Sequence, residues 1–289
     1  MQDKLQEELD KNGFVIVDLL NSEEVHFLNQ LCDKYLQHTQ TDFISSSHIL
    51  NKNDSDFIND ELHKILDSKF KNKFPKLQLL GGTLATKIKG KSNLKAHQDW
   101  SIVDETKFNS YNLWIPLVDT NLSNGTLGVV VGSHKWQLQK RGFNIPNPYE
   151  QFTGQFIDIG FEPSIKSGQA ILYNHKLIHF SRPNSTNERR NTAIVGVKDK
   201  DALLEVSFCL DNKNIETYEV TETDFYNFNA VKIKENNKLI SKTDKTLSAF
   251  SSKEIIENFK NNLPEEFHYL IRKSQTFFAK LLHKFGFAK

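Results

Sequence analysis

Apolar residues recur at two periods along this chain, and the change of period divides it. Val25, Leu28, Leu31, Cys32 and Leu36 fall at helical spacing behind Asn21-Ser22-Glu23-Glu24, an N-cap with a glutamate three residues on. That pattern predicts the clearest helix of the first half. Leu5 and Leu9 among charged residues predict a shorter helix stopped by Asn12-Gly13, and residues 14–17 predict a strand. Residues 38–60 are polar, with Ser45-Ser46-Ser47 and Asn51-Lys52-Asn53-Asp54, and predict a loop over the surface or a site mouth. Residues 61–70 predict another helix.

From residue 79 the period shortens to two. Residues 79–88 alternate without marking which face is inner. Residues 97–99, 111–118, 126–131, 169–173, 177–180, 190–197 and 202–210 predict short strands, with Asn124-Gly125 a strong turn signal. Residues 137–163 carry Pro146, Pro148 and Pro163 and little period, as in a long connection of the kind that forms lids. Residues 211–250 are polar, although Val231-Lys232-Ile233-Lys234 alternates. Many short strands behind a few helices fit a mainly β fold with flanking helices, a double-stranded β-helix or cupin-like jelly-roll barrel, which residues 202–210 would close. Residues 1–250 read as one domain. Residues 251–289 read as a C-terminal amphipathic helical extension, with Phe267, Leu270, Ile271, Phe277, Phe278, Leu281, Leu282 and Phe285 near helical spacing among Arg272, Lys273, Lys280, Lys284 and Lys289. Such a helix packs on the barrel or makes peripheral membrane or protein contact.

Composition narrows the function. The 37 basic and 36 acidic residues leave a net charge of +1, so no global field recruits nucleic acid. The 22 phenylalanines can fill a sizeable core. Cys32 and Cys209 fit no metal spacing and read as reduced core residues. No apolar leader opens the chain and no apolar run is long enough to span a membrane, so the expectation is a cytoplasmic protein.

The candidate chemistry lies at Lys95-Ala96-His97-Gln98-Asp99-Trp100. In an extended segment His97 and Asp99 face one way and Gln98 another. His179 is the candidate third ligand, with His175, His134 and His48 as rivals; His175 sits in a turn and reads as solvent-facing. Two imidazoles and a carboxylate are the ligand set of non-heme Fe(II) oxygenases. After His179 a turn-rich stretch, Pro183 to Asn187, predicts a hairpin-like return through Arg190 and Thr192, which share a face. A guanidinium fork binds a carboxylate, a nearby hydroxyl can assist, and the natural guest is a dicarboxylate. Ser181, on the face of His179, and Lys87 are further candidates for holding it. Arg189 reads as solvated or acid-paired, Asp104-Glu105 as a solvated turn, and Trp100, Trp114 and Trp136 as core or pocket wall.

The H-x-D, the distal histidine, the arginine eleven residues on, a hydroxyl two beyond that, and Asn124-Gly125-Thr126-Leu127-Gly128-Val129-Val130-Val131-Gly132-Ser133-His134 together resemble the phytanoyl-CoA dioxygenase family. The likeness runs from about residue 8 to about residue 230 and takes in Asn12 to Val17 and Leu19 to Val25. One departure is Gly168-Gln169, where the family often has an acid after the glycine. The resemblance implies a double-stranded β-helix, Fe(II) on His97, Asp99 and His179, 2-oxoglutarate with its 5-carboxylate on Arg190, and O2 as oxidant. It implies hydroxylation of a small-molecule or carrier-linked substrate. A carboxylate at Asp99 favours hydroxylation over halogenation and leaves desaturation or ring closure open. Two other readings stand beside it: a non-oxidative cupin-like metal-binding protein or isomerase, which has no need of Arg190, and a scaffold acting through its C-terminal helix.

Overall fold

The computed structural model describes residues 2–37, 41–245 and 250–271. The chain opens with α1 (Gln2–Asn12), β1 (Phe14–Asp18) and α2 (Ser22–Leu36). The α2 N-terminus is a capping box, with the Asn21 side chain on the Glu24 amide and the Glu24 carboxylate on the Asn21 amide. Next come β2 (Phe43–Ser45), α3 (Ser46–Ile49) and α4 (Lys52–Lys73); the loop expected over residues 38–60 is structured from Phe43, and the helix expected over 61–70 begins earlier, at Lys52. Asn51-Lys52-Asn53-Asp54 is not a turn but a helix start, since the Asn51 side chain accepts from the Asp54 amide. Ile58, Leu62, Leu66 and Phe70 then form one buried stripe at a spacing of four. Burying each stabilises by about 1.5–3 kcal/mol, which overrides the polar composition of the rest.

The strands follow: β3 (Leu77–Lys87), β4 (Leu94–His97), β5 (Ser110–Pro116) and β6 (Leu127–Val129), then α5 (Thr153–Ile159) within the long connection. After it run β7 (Gln169–Asn174), β8 (His179–Ser181) and β9 (Arg190–Asp199). The chain continues through β10 (Leu204–Phe208), β11 (Asn214–Val220), α6 (Glu222–Tyr226), α7 (Ala230–Asn236), β12 (Leu239–Asp244) and α8 (Ser252–Asn262). Val231 to Lys234, which alternate, lie in helix α7, capped by Asn229; four residues are too few for a period to decide between helix and strand. Helical residues outnumber strand residues among those described, so the fold is mixed helix and strand with antiparallel sheets rather than mainly β.

A six-stranded sheet has the order β1-β7-β5-β9-β3-β2, and a three-stranded sheet the order β4-β8-β6. Alternation along the large sheet sorts its side chains. Leu172, Leu113, Ile115, Ala193, Val195 and Val197 pack with α2 and α4. Ile171, Tyr173 and Trp114 pack with Ala96, Leu127, Val129 and Phe180 of the small sheet. The expected return after His179 is therefore not a hairpin within one sheet, because β8 and β9 lie in the two sheets that share this second cluster.

Strand β10 does not close either sheet; it pairs with β11 in a third, three-stranded sheet, β10-β11-β12. Phe250, Ile255, Phe259, Leu263 and Leu270 are buried in the same cluster as Trp114 and Phe180. The C-terminal positions Phe277, Phe278, Leu281, Leu282 and Phe285 lie outside the described residues. No helix among the described residues is long and apolar enough to cross a membrane.

Candidate metal and anion site

Strands β4 and β8 are antiparallel neighbours, and His97 pairs directly with His179 across them. Their rings come within 4.1 Å, centroid to centroid. Each Nδ1 bonds the carbonyl two residues before it: His97 that of Lys95 at 2.8 Å, His179 that of Leu177 at 3.0 Å. A carbonyl can only accept, so both Nδ1 atoms carry the proton and both Nε2 lone pairs are free. That is how metal-binding histidines are held. Asp99 faces them, with carboxylate oxygens 3.9 Å from His97 Nε2 and 3.7 Å from His179 Nε2. The three ligand atoms all lie within 4.8 Å of one another. With metal–ligand bonds of about 2.1 Å, neighbouring donors on an ion stand about 3 Å apart, so this set would draw in by up to about 2 Å to hold one.

Charge and burial suit the same purpose. Burial first, then His97, holds the His179 imidazole down at about 4, so it is neutral at physiological pH. Burial pushes the Asp99 carboxyl up, but His179, His175, His97 and a hydrogen bond from Asn112 at 2.9 Å outweigh it and hold it at about 2. A neutral imidazole and an ionised carboxylate are the forms that bind metal. His179 is fully enclosed, whereas His97 and Asp99 are partly exposed, so the triad is open to solvent on their side.

A second feature lies on the facing sheet. Lys87 ends β3, Arg190 begins β9, and the two are directly paired across the ladder. Both are nearly sealed from solvent, 2% and 3% exposed, and neither forms an ion pair with any described acid. Lys87 Nζ donates to Ser181 Oγ at 3.0 Å and to the Arg182 carbonyl at 2.7 Å. An Arg190 terminal nitrogen donates to the Gly125 carbonyl at 2.5 Å, and the guanidinium stacks over Trp114 at 5.5 Å, while its Nε has no partner. Gly125 has φ +74°, and a Cβ there would lie 2.4 Å from the Arg182 carbonyl, so glycine is required at the carbonyl that steadies Arg190. Burial, and then repulsion from Arg190, depress Lys87 to about 7 against the pull of Asp42. Burial alone depresses Arg190 to about 10.

Both cations, Ser181, Trp114, Tyr173 and His179 line one cavity of about 110 Å³. It therefore runs from the paired cations to a member of the triad. Two larger grooves, about 560 and 620 Å³, lie along α4 and β3 and gather no comparable set of groups. Thr192 keeps the face of Arg190 but turns its hydroxyl to the Ala85 carbonyl at 3.3 Å and does not line the cavity.

Among the other residues singled out in the sequence, Arg189 pairs with Asp33 at 3.6 Å and His48 is exposed. His134 bonds the Asp10 carbonyl at 3.0 Å. His175 is not solvent-facing: it is 4% exposed, with Nδ1 on Ser110 Oγ at 3.0 Å, because the turn that holds it folds inward beneath β5. Glu105 is no solvated turn residue but is buried in an ion pair with Arg141. Sequence reasoning missed Arg141 and Asn112; a lone polar residue in an apolar strand, as Asn112 is in β5, was the available signal for the second.

Residues 9–192 match the family model described as phytanoyl-CoA dioxygenase (PhyH). A phytanoyl-CoA dioxygenase of Arabidopsis thaliana is 34% identical over 114 residues, 36% of this chain and 38% of that relative, so the chain matches little more than a third of its length. Among solved structures, the epimerase SnoN in complex with Fe3+, alpha ketoglutarate and nogalamycin RO has a TM-score of 0.53 at 16% identity, over 70% of this chain and 85% of its own. The carbocyclase SnoK from nogalamycin biosynthesis has 0.54 at 14%, over 71% and 86%. HygX from Streptomyces hygroscopicus, with nickel, 2-oxoglutarate and hygromycin B bound, has 0.51 at 16%, over 68% and 87%. At these identities the structural likeness speaks for the fold.

Proposed function

The chain belongs to the phytanoyl-CoA dioxygenase family, and from that premise we propose that it is an Fe(II)- and 2-oxoglutarate-dependent dioxygenase. In this reading the two facing sheets form a double-stranded β-helix, and the enzyme hydroxylates a small-molecule or carrier-linked substrate, releasing succinate and CO2. A cytoplasmic setting, where Cys32 and Cys209 stay reduced, belongs to the same reading.

The observation that carries it is a pair of buried cations, Lys87 and Arg190, with no ion-pair partner among the described acids, opening into the cavity that His179 also lines. Burying charge is expensive unless it is paired. Two like charges held side by side call for an anion that arrives as a ligand, and a dicarboxylate reaching toward the triad is the anion that also engages a metal. A non-oxidative metal-binding protein or isomerase leaves both cations without a purpose.

His97, Asp99 and His179 would hold the iron, whose part is to couple 2-oxoglutarate decarboxylation by O2 to oxidation of a substrate C–H bond. Arg190 and Lys87 grip the distal carboxylate, and Ser181 bridges them. Trp114, Tyr173 and Ile194 exclude water along the co-substrate, and the exposed sides of His97 and Asp99 leave the approach for the substrate. Asp99 occupies the place that a halide would need, so hydroxylation is proposed over halogenation.

Anaerobic addition of Fe(II) and 2-oxoglutarate to the wild type is expected to give a visible charge-transfer band. His179→Ala should abolish it. An unchanged band in His179→Ala, or none in a folded wild type, would sink the assignment.

A further inference from the structure

Asp99 differs from the two histidines in how its main chain is held. Strand β4 ends at His97, so Asp99 lies beyond the ladder. Its N–H donates to the His175 carbonyl at 3.0 Å, and its own carbonyl accepts from Arg141 Nε at 2.6 Å. Arg141 stands in the long connection before α5 and is itself immobilised. Its terminal nitrogens grip Glu105 in a two-pronged ion pair at 2.5 and 3.0 Å, and one of them also donates to the Gln139 carbonyl at 2.8 Å. The side chains of this pair are 9% and 4% exposed. Ser101 completes the cage: its N–H donates to the Arg141 carbonyl at 3.1 Å and its hydroxyl to Glu105 at 3.1 Å.

We propose that Arg141, locked by Glu105, is a positioning residue that sets where the Asp99 carboxylate stands relative to the two imidazoles. The inference rests on the metal reading above. A strand fixes its side chains through the ladder, but among the described residues the Asp99 main chain has two hydrogen bonds, and the shorter is the one from the guanidinium. Arg is suited to the task because a planar fork meets Glu105 while its Nε points elsewhere; lysine offers a single point of attachment. The cage has an outer brace. Next to Arg141, Lys140 pairs with Glu205 of β10 at 3.2 Å, the Glu205 N–H donates to the Ile102 carbonyl at 2.9 Å, and the Phe143 N–H to the Ser207 carbonyl at 3.1 Å. The third sheet, beyond the residues that match the family model, thus backs the segment that carries the metal carboxylate.

The test is Mn(II) binding to the metal-free full chain, followed by the loss of the free Mn(II) electron-resonance signal, together with the visible spectrum of the Co(II) form and the melting temperature without metal. Outer partners of metal ligands are worth about 10–100-fold in affinity. Arg141→Ala should weaken Mn(II) binding by at least about tenfold and alter the Co(II) bands. Glu105→Gln, which keeps an acceptor for the guanidinium, should weaken it by less. Gln137→Ala, at an exposed position of the same connection, should bind like the wild type. Wild-type affinity and an unaltered Co(II) spectrum in Arg141→Ala would overturn the proposal, as would equal loss in Gln137→Ala. If Arg141→Ala does not fold, Glu105→Gln decides, and wild-type binding there overturns the idea. A folded wild type that binds no Mn(II) overturns the metal reading and this inference together. Loss in His179→Ala with none in Arg141→Ala overturns this inference alone.

Discussion

The two ends of the 110 Å³ cavity handle charge in opposite ways. At one end His97, Asp99 and His179 compensate one another, with the carboxylate ionised at about 2 and His179 neutral down to about 4. At the other end Lys87 and Arg190 stand side by side, hydrogen-bonded to neutral oxygens, and burial pulls both below their ordinary values. The metal end is preorganised by backbone carbonyls and is stable without a guest. The anion end is strained by its own charge until a guest arrives. Stability and function should therefore separate at the anion end and not at the metal end.

The largest effect expected is at the metal end. His179→Ala should cost more Mn(II) affinity than the about 100-fold that outer partners account for, while Arg190→Met leaves Mn(II) binding intact. If Arg190→Met lost metal as fully as His179→Ala, the two ends would be one unit and the comparison would fail.

The next effect is a reversal of sign. Arg190→Met should weaken 2-oxoglutarate binding by at least about 30-fold, the scale of one partner lost from a buried charged pair. It should leave the ligand-free protein as stable as the wild type or more so, by about 1 kcal/mol, because an apolar side chain replaces an uncompensated charge. Chemical denaturation and ligand titration read the two separately. A variant destabilised by several kcal/mol that still binds 2-oxoglutarate would show that Arg190 is a structural strut.

The third effect is on pH. Lys87 titrates at about 7 in the folded protein, below its unfolded value, so between those values the unfolded chain holds a proton that the native protein lacks. The stability of the ligand-free protein should therefore rise as pH climbs from 7 toward 10, with the full penalty below 7. Affinity for the dicarboxylate should run the other way, falling up to tenfold per unit above pH 7 as the ammonium is lost. Proton uptake on binding at pH 8, seen as a dependence of binding heat on the buffer, is the measurement. Lys87→Met should remove both trends; if both persist, another group is responsible.

Much of the metal end was legible in the sequence because it rests on local periods. Two residues apart means one face, and His97 and Asp99 obey that even though the ladder stops between them. The cations were legible as chemistry but not as a pair, since the register that sets Lys87 against Arg190 is fixed by strands a hundred residues apart. The return after His179 misled for a related reason: turn residues announce a reversal without saying whether the chain comes back in the same sheet or the facing one. Asn51 to Asp54 shows the limit of composition, because the same polar side chains that make turns also cap helices, and only the buried stripe from Ile58 to Phe70 tells them apart. The cage of Arg141 and Glu105 joins two irregular segments, where no period exists to be read. His175 was misplaced because a turn inside a protein has the same residues as a turn outside it.

The smallest effect expected falls on Gln98, the residue between His97 and Asp99. Its amide nitrogen donates to the Lys176 carbonyl, so it ties the segment after β4 to the turn before β8, and it does not line the cavity. Losing one partly buried hydrogen bond removes about 1 kcal/mol of stability. Gln98→Ala should therefore melt slightly earlier yet hold Mn(II) within about threefold of the wild type, below the about tenfold at which outer partners begin to register. Asp99→Ala, one residue on, should lose metal. Equal loss in the two would mean that the segment is gripped as a whole and not face by face. The compensation at the metal end would then depend on the turn beneath it, as well as on the three side chains that meet there.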